Sequence, residues 1–224
     1  MGRILFVYTS CSRTLTGAQT GWYLPEAAHP YYVLAAHHEI DFASPNGPNP
    51  PVDEGSVEMF KDDESVKFLQ DATVTEKLAT AKKLSEVNPS QYDAVFYVGG
   101  HGPVLDLATD PTNIKVGNEF WRSGKITSAV CHGPAALVGV TDAEGKSIFT
   151  GKAATGFSNT EEEQVNKVKD IPFLLESRIK ELGGKYEAAA EPWGVKVVVD
   201  GKLITGQNPA SAKAIGEAIH KALA

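Results

Sequence analysis

Along the chain, short runs of continuous apolar residues alternate with longer stretches in which apolar positions recur three and four apart. Continuous runs read as strands buried on both faces, and the three-four spacing reads as helices lying over them. The runs at 3–9, 92–98 and 126–130, with the segment 39–44, predict four strands of one mostly parallel sheet. Helices are expected at 21–37, with Pro25 near the start, and at 112–123, 132–140 and 172–182, the last stopped by Gly183-Gly184. Residues 53–90 are largely polar, with helical spacing only around 74–87. Between them, Asn46 to Pro51 strings Pro and Gly together and cannot be regular structure. A further strand is expected within 147–157. Two β-branched runs over 195–205, joined at Asp200-Gly201, predict a hairpin with a type I′ turn. Pro209 to Leu223 reads as an amphipathic terminal helix capped by Asn208. No linker-like stretch or internal repeat divides the chain, so residues 1–224 are expected to form one α/β domain.

Composition narrows the function. A chain of 224 residues, 42% of them hydrophobic, can bury a core without disulfides or a structural metal. The net charge of −7, with no basic window, argues against a nucleic-acid partner. No apolar run has the length of a bilayer span, so no membrane role is expected. The N-terminus enters a strand-like run with no cleavage-type site, which predicts no signal peptide and a cytoplasmic protein. Two distant cysteines, Cys11 and Cys131, are expected to remain thiols. No Cys-x-x-Cys or His-Glu-x-x-His spacing supports a zinc site, and no cofactor is expected. His37, His38 and His220 are taken as surface or helix-end residues.

The chemistry concentrates at Ala129-Val130-Cys131-His132-Gly133, where a strand hands over to a predicted helix. This is the pattern of a nucleophile elbow with cysteine in place of serine. A tight strand-to-helix turn lifts the side chain above the carboxyl edge of the sheet, and a helix N-terminus there favours a thiolate. The plain alternative is a small buried hydrophobe. Gly99-Gly100-His101-Gly102 follows the preceding strand and should reach the same edge. Gly100, His101 and the amide of His132 are therefore the oxyanion and substrate-binding candidates. His132 is the general-base candidate by type, although neighbouring side chains usually diverge. Glu161-Glu162-Glu163 could supply its orienting partner, and two of the three are expected to be a solvated first helical turn. Glu26 sits among aromatic and small apolar neighbours; a desolvated carboxyl there would suit proton shuttling, and surface exposure fits the pattern equally.

Together these segments resemble one superfamily. Ala-Val-Cys-His-Gly-Pro at 129–134, Gly-Gly-His-Gly at 99–102 and Glu-Ala-Ala-His-Pro at 26–30 are similar to the ThiJ/PfpI group of class I glutamine-amidotransferase-like proteins. Thr155-Gly156-Phe157 and Thr205 to Ser211 extend the likeness over nearly the whole chain. The length, the polar insertion after Pro51 and Pro192-Trp193-Gly194 resemble the glutathione-independent glyoxalase (glyoxalase III) branch, which also contains stress-induced chaperones. The resemblance implies a flavodoxin-like three-layer sandwich, usually a homodimer. It also implies a Cys-His-Glu triad on Cys131, His132 and one of the three glutamates, with spacing favouring Glu162, and a Glu26 carboxyl touching the sulfur. The implied activity converts methylglyoxal, a small 2-oxoaldehyde, to D-lactate without glutathione or added metal. Repair of glycation adducts and a holdase chaperone role are the other readings.

Overall fold

The computed structural model describes residues 1–224. Seven strands form the central sheet: β1 (Arg3–Val7), β2 (Glu39–Ser44), β3 (Lys82–Lys83), β4 (Ala94–Tyr97), β5 (Ile126–Val130), β8 (Val197–Asp200) and β9 (Leu203–Gly206). Their order is β3-β2-β1-β4-β5-β9-β8, and every pairing is parallel except that of β8 with β9. A separate pair, β6 (Ala153–Ala154) and β7 (Lys185–Tyr186), lies outside it. The fold is the α/β class that the alternating runs imply, in the flavodoxin-like form that the family resemblance implies.

Alternate side chains of each central strand enter two cores. Ile4, Phe6 and Tyr8 of the first strand pack with α1 (Leu24–Ala35) and α9 (Ala212–Leu223), whereas Leu5 and Val7 share the opposite core with Val116 and Phe120 of α6 (Pro111–Arg122). The residues of β1, β4 and β5 are therefore apolar on both faces, with Ser128 of β5 satisfied by a bond to the Val95 carbonyl. Both cysteines are free.

Several boundaries differ from the sequence expectation, each for a local reason. The first helix starts at Leu24, because residues 9–23 run as a loop in which the Trp22 indole donates to the Pro50 carbonyl. Within the polar stretch stand three short helices, α2 (Glu54–Met59), α3 (Asp63–Gln70) and α4 (Ala72–Ala79), of which only the last was foreseen. Their signal was capping rather than periodicity: Asp53, Asp62 and Asp71 each accept a backbone N–H of the first turn. After β5 the chain forms a 3₁₀ turn over 133–137 in place of an α-helix, since Gly133-Pro134 and Gly139 leave no run of helix formers. The strand expected within 147–157 is only β6. The helix expected over 172–182 is α8 (Leu175–Glu181). In the hairpin the two loop residues are Gly201 and Lys202, not Asp200-Gly201; Gly201 alone has positive φ, the type II′ pattern. Asn208 makes no cap bond; its amide is used elsewhere, as described below. His38 is buried rather than superficial, with its Nε2 2.9 Å from Nδ1 of His220.

Phe6 lies at the centre of one core, 4.8 Å from the Phe96 ring and 6.0 Å from that of Phe42. Phe6→Ala is expected to cost about 3–5 kcal/mol, read as a lower urea midpoint at unchanged slope. A loss below about 1 kcal/mol would mean that this face repacks freely.

Candidate active site

β4 and β5 are neighbours in register, Tyr97 beside Ala129, so the loops that follow them emerge side by side at the carboxyl edge of the sheet. Cys131 is the first residue after β5 and has φ +60°, a left-handed conformation that side chains rarely adopt. The fold holds it there from both sides. Its N–H donates to the Gly206 carbonyl at 2.9 Å, and its own carbonyl accepts from Phe157 N–H at 2.8 Å. The neighbouring Gly133 leaves no room for a side chain, its Cβ position being 2.5 Å from the Tyr97 carbonyl. The thiol is thereby turned back over the loop after β4, only 4% exposed.

Three groups face the sulfur. His132 Nδ1 is 3.5 Å away, so the elbow does bring adjacent side chains together. The Gly100 N–H and the Glu26 carboxyl complete the set. Gly99 makes room for that carboxyl, since a Cβ there would sit 2.0 Å from Glu26 Oε2 and 2.8 Å from Cys131 Cβ. Gly100 has φ +99° and lies against the Gly21 carbonyl, 2.1 Å from where a Cβ would be. Glu26 is wholly buried in the first turn of α1, and neither oxygen has a hydrogen bond of regular geometry; only the Cys131 thiol and the Gly100 N–H oppose its desolvation. Burial pushes this carboxyl well above the usual carboxylate range, so it keeps a proton and offers it to the sulfur. Burial raises the Cys131 thiol too. That direction runs against the thiolate a helix N-terminus would favour: the 3₁₀ turn supplies no α-helical dipole, and the low-dielectric surroundings disfavour the anion.

His132 Nε2 donates a short hydrogen bond to Glu162 Oε2, and His101 Nε2 bonds the other oxygen, Oε1, at 2.7 Å. Desolvation would raise the Glu162 carboxyl, but the two imidazoles outweigh it and hold the group well below its ordinary value. Desolvation lowers His132, and the Glu162 charge only partly restores it. The consistent state is an anionic Glu162 beside a neutral His132 that carries its proton on Nε2. Nδ1 then presents a lone pair to the thiol.

Residues 20–222 match the family described as DJ-1/PfpI. The chain belongs to the DJ-1/PfpI family. It is 33% identical over 205 residues to the glutathione-independent glyoxalase HSP31 of Saccharomyces cerevisiae, covering 88% of this chain and 86% of that protein. The X-ray structure of the Francisella tularensis Rapid Encystment Protein of 24 kDa superposes with a TM-score of 0.94 at 36% identity over the whole of both chains. The glyoxalase III structure from Candida albicans gives 0.88 at 28% identity, over 99% of this chain and 97% of that one.

In this DJ-1/PfpI chain the three consecutive glutamates of α7 (Asn159–Gln164) have three fates. Glu163 is exposed, whereas Glu161 and Glu162 are both buried, so only one of the three is solvated rather than the expected two. Glu161 closes a capping box with Ser158 and accepts from Gln207 Nε2, Asn208 Nδ2 and the Trp193 N–H. The nitrogens of His101 and His132 and a Glu162 oxygen lie within 4.8 Å of one another, a donor set suited to a divalent cation. Each carboxylate oxygen there already accepts an imidazole N–H, so the cluster is satisfied by its own hydrogen bonds.

The cleft over Cys131 is narrow, about 50 Å³, with Tyr23, Phe157, Val165, Trp193 and Pro209 around the polar groups. Phe157 stacks 4.5 Å from the His132 ring and 5.5 Å from Trp193. Sequence reading quoted Tyr23, Phe157, Trp193 and Pro209 as parts of motifs without assigning them to the cleft, and it missed Val165, whose position on a short helix carries no chemical signal. His101 was singled out beside Gly100, and the structure adds that its ring is tied to Glu162.

The wild-type His132 ring should stay neutral, with its proton on Nε2, at neutral pH and above, because burial lowers its pKa. Glu162 raises that pKa, so Glu162→Gln should lower it further; imidazole ¹⁵N shifts followed against pH read both, and a rise in the variant would contradict the assignment.

Proposed function

We propose that this protein is a glutathione-independent glyoxalase that adds water across methylglyoxal to give D-lactate, with Cys131 as nucleophile. The observation that carries the reading is one strained thiol faced by a protonated carboxyl and a neutral imidazole, Glu26 and His132. The glyoxalase names of its yeast relatives support it.

Each step needs only groups at the site. His132 Nδ1 takes the thiol proton as the sulfur adds to the aldehyde carbon C1, and Glu162 stabilises the imidazolium. Glu26 gives its proton to the developing oxyanion, which the N–H groups of Gly100 and His132 help to bind, and a hemithioacetal results. Glu26, now a carboxylate, removes the C1 hydrogen as a proton, while the imidazolium protonates the C2 oxygen to give an enediol. Glu26 returns its proton to C2, and His132 takes the hydroxyl proton from C1, leaving a thioester of lactate. Water attacks C1 as Glu26 takes one of its protons, the C–S bond breaks, and the imidazolium gives its proton to the leaving sulfur, so lactic acid departs and Glu26, His132 and Cys131 return to their starting states. The sum is methylglyoxal plus water to lactate, with no external oxidant or reductant. His101 shares the Glu162 carboxylate and so orients it. A homodimer in the cytoplasm, acting on small molecules rather than nucleic acid or membranes, completes the proposal. In support, net charge is −7 and no helix is long and apolar enough to cross a membrane.

The test is lactate formation from methylglyoxal without glutathione, read with a D-lactate-specific dehydrogenase. Cys131→Ala should abolish turnover, and Glu26→Gln should lower kcat by roughly 10²–10⁴-fold. Near-normal lactate from Cys131→Ala would overturn the reading.

A further inference from the structure

Outside the Cys131 cleft lies a second, larger hollow of about 500 Å³ whose lining is mostly apolar. Tyr23, Val165, Trp193 and Pro209 line both spaces, so the two adjoin and these side chains form the partition. Beyond the partition the outer hollow adds Met59 and Phe60 of the polar insertion, with Met59 70% exposed. The Tyr23 ring meets Phe60 edge-on at 5.5 Å, and the hydroxyl points at the Met59 sulfur. An exposed thioether and indole around one concavity are costly to leave in water unless something apolar covers them.

Trp193 is held in this partition deliberately. Its φ is +66°, an outlier for a bulky side chain, and its indole is 41% exposed. Two hydrogen bonds from the same short helix fix it: the backbone N–H donates to buried Glu161, and the indole N–H donates to Gln164 at 2.6 Å. Its inner face rests on Phe157, which in turn stacks on His132.

The direction of a bound aldehyde follows. Around the sulfur stand Glu26, His132 and Gly100, so a group attached to C2 of the substrate must project outward past Trp193. A methyl group ends inside the cleft, whereas a phenyl ring or a branched alkyl chain reaches the outer hollow. We propose that the hollow bounded by Trp193, Met59 and Phe60 is the subsite for the substituent of a 2-oxoaldehyde, and that this protein selects aldehydes bearing a bulky apolar group over methylglyoxal. The proposal rests on the glyoxalase reading. It makes Trp193 and Met59 specificity-determining, with Glu161 and Gln164 as positioning residues for the indole.

Covering the subsite is uniform binding, so selectivity should appear in KM rather than kcat. Wild-type protein should favour phenylglyoxal over methylglyoxal by about tenfold in kcat/KM. Met59→Ser, at a mostly exposed position, should lower that ratio about fivefold by raising KM for phenylglyoxal. Trp193→Gly, which suits the positive φ, should lower it at least as much. A ratio near one in the wild type, or a ratio that neither variant moves, would overturn the subsite. A second measurement does not depend on turnover. D-mandelate, the product expected from phenylglyoxal, should protect Cys131 from alkylation by iodoacetamide at about tenfold lower concentration than D-lactate, and Met59→Ser should narrow that gap. Equal protection by the two acids would also overturn the subsite. Should neither aldehyde be turned over while mandelate still protects selectively, the glyoxalase reading fails and the apolar subsite stands.

Discussion

The site depends on one backbone constraint, the left-handed turn at Cys131. A residue in an extended or helical conformation at that point would send its side chain along the sheet or into the core. The turn costs of order 1–3 kcal/mol for a non-glycine residue. It persists because β9 and the segment before α7 hold the N–H and the carbonyl of the same residue. With the backbone reversed, the thiol faces the loop after β4, and the His132 ring comes within reach of the sulfur.

Burial then sets the protonation states. Glu26 has no cation near it and stays protonated, and His132 stays neutral despite an anionic Glu162 beneath it. The sulfur therefore lies between a proton donor and a proton acceptor rather than beside a counter-ion. The same dry surroundings strengthen every hydrogen bond made to a charge developing on the substrate.

The α7 helix links catalysis to access. Adjacent helical residues point about 100° apart, so Glu162 turns toward the imidazoles while Glu161 turns toward Gln207, Asn208 and the Trp193 loop. One capping box at Ser158 thus anchors both the base and the wall of the cleft. A displacement of this helix would move the two together.

Much of the fold was legible because strands buried on both faces must be largely apolar, and β1, β4 and β5 fall where such runs occur. The nucleophile was legible for a related reason: a cysteine between a buried strand and Gly-Pro has few other uses. The short helices α2 and α3 were not, since they are held by aspartate caps and by packing rather than by a long amphipathic stripe. Glu161 and Glu162 differ by one position on the same helix, and no local pattern says which faces an imidazole. Sequence by itself determined the parallel sheet, because strand burial demands apolar runs, and it singled out Cys131 and His132 as candidates from the strand-to-turn junction; the Glu26 contact it offered only through the family resemblance. Only the tertiary structure decided the desolvation of Cys131 and Glu26 and the Trp193 partition, because burial and close approach arise from segments that are distant in the chain.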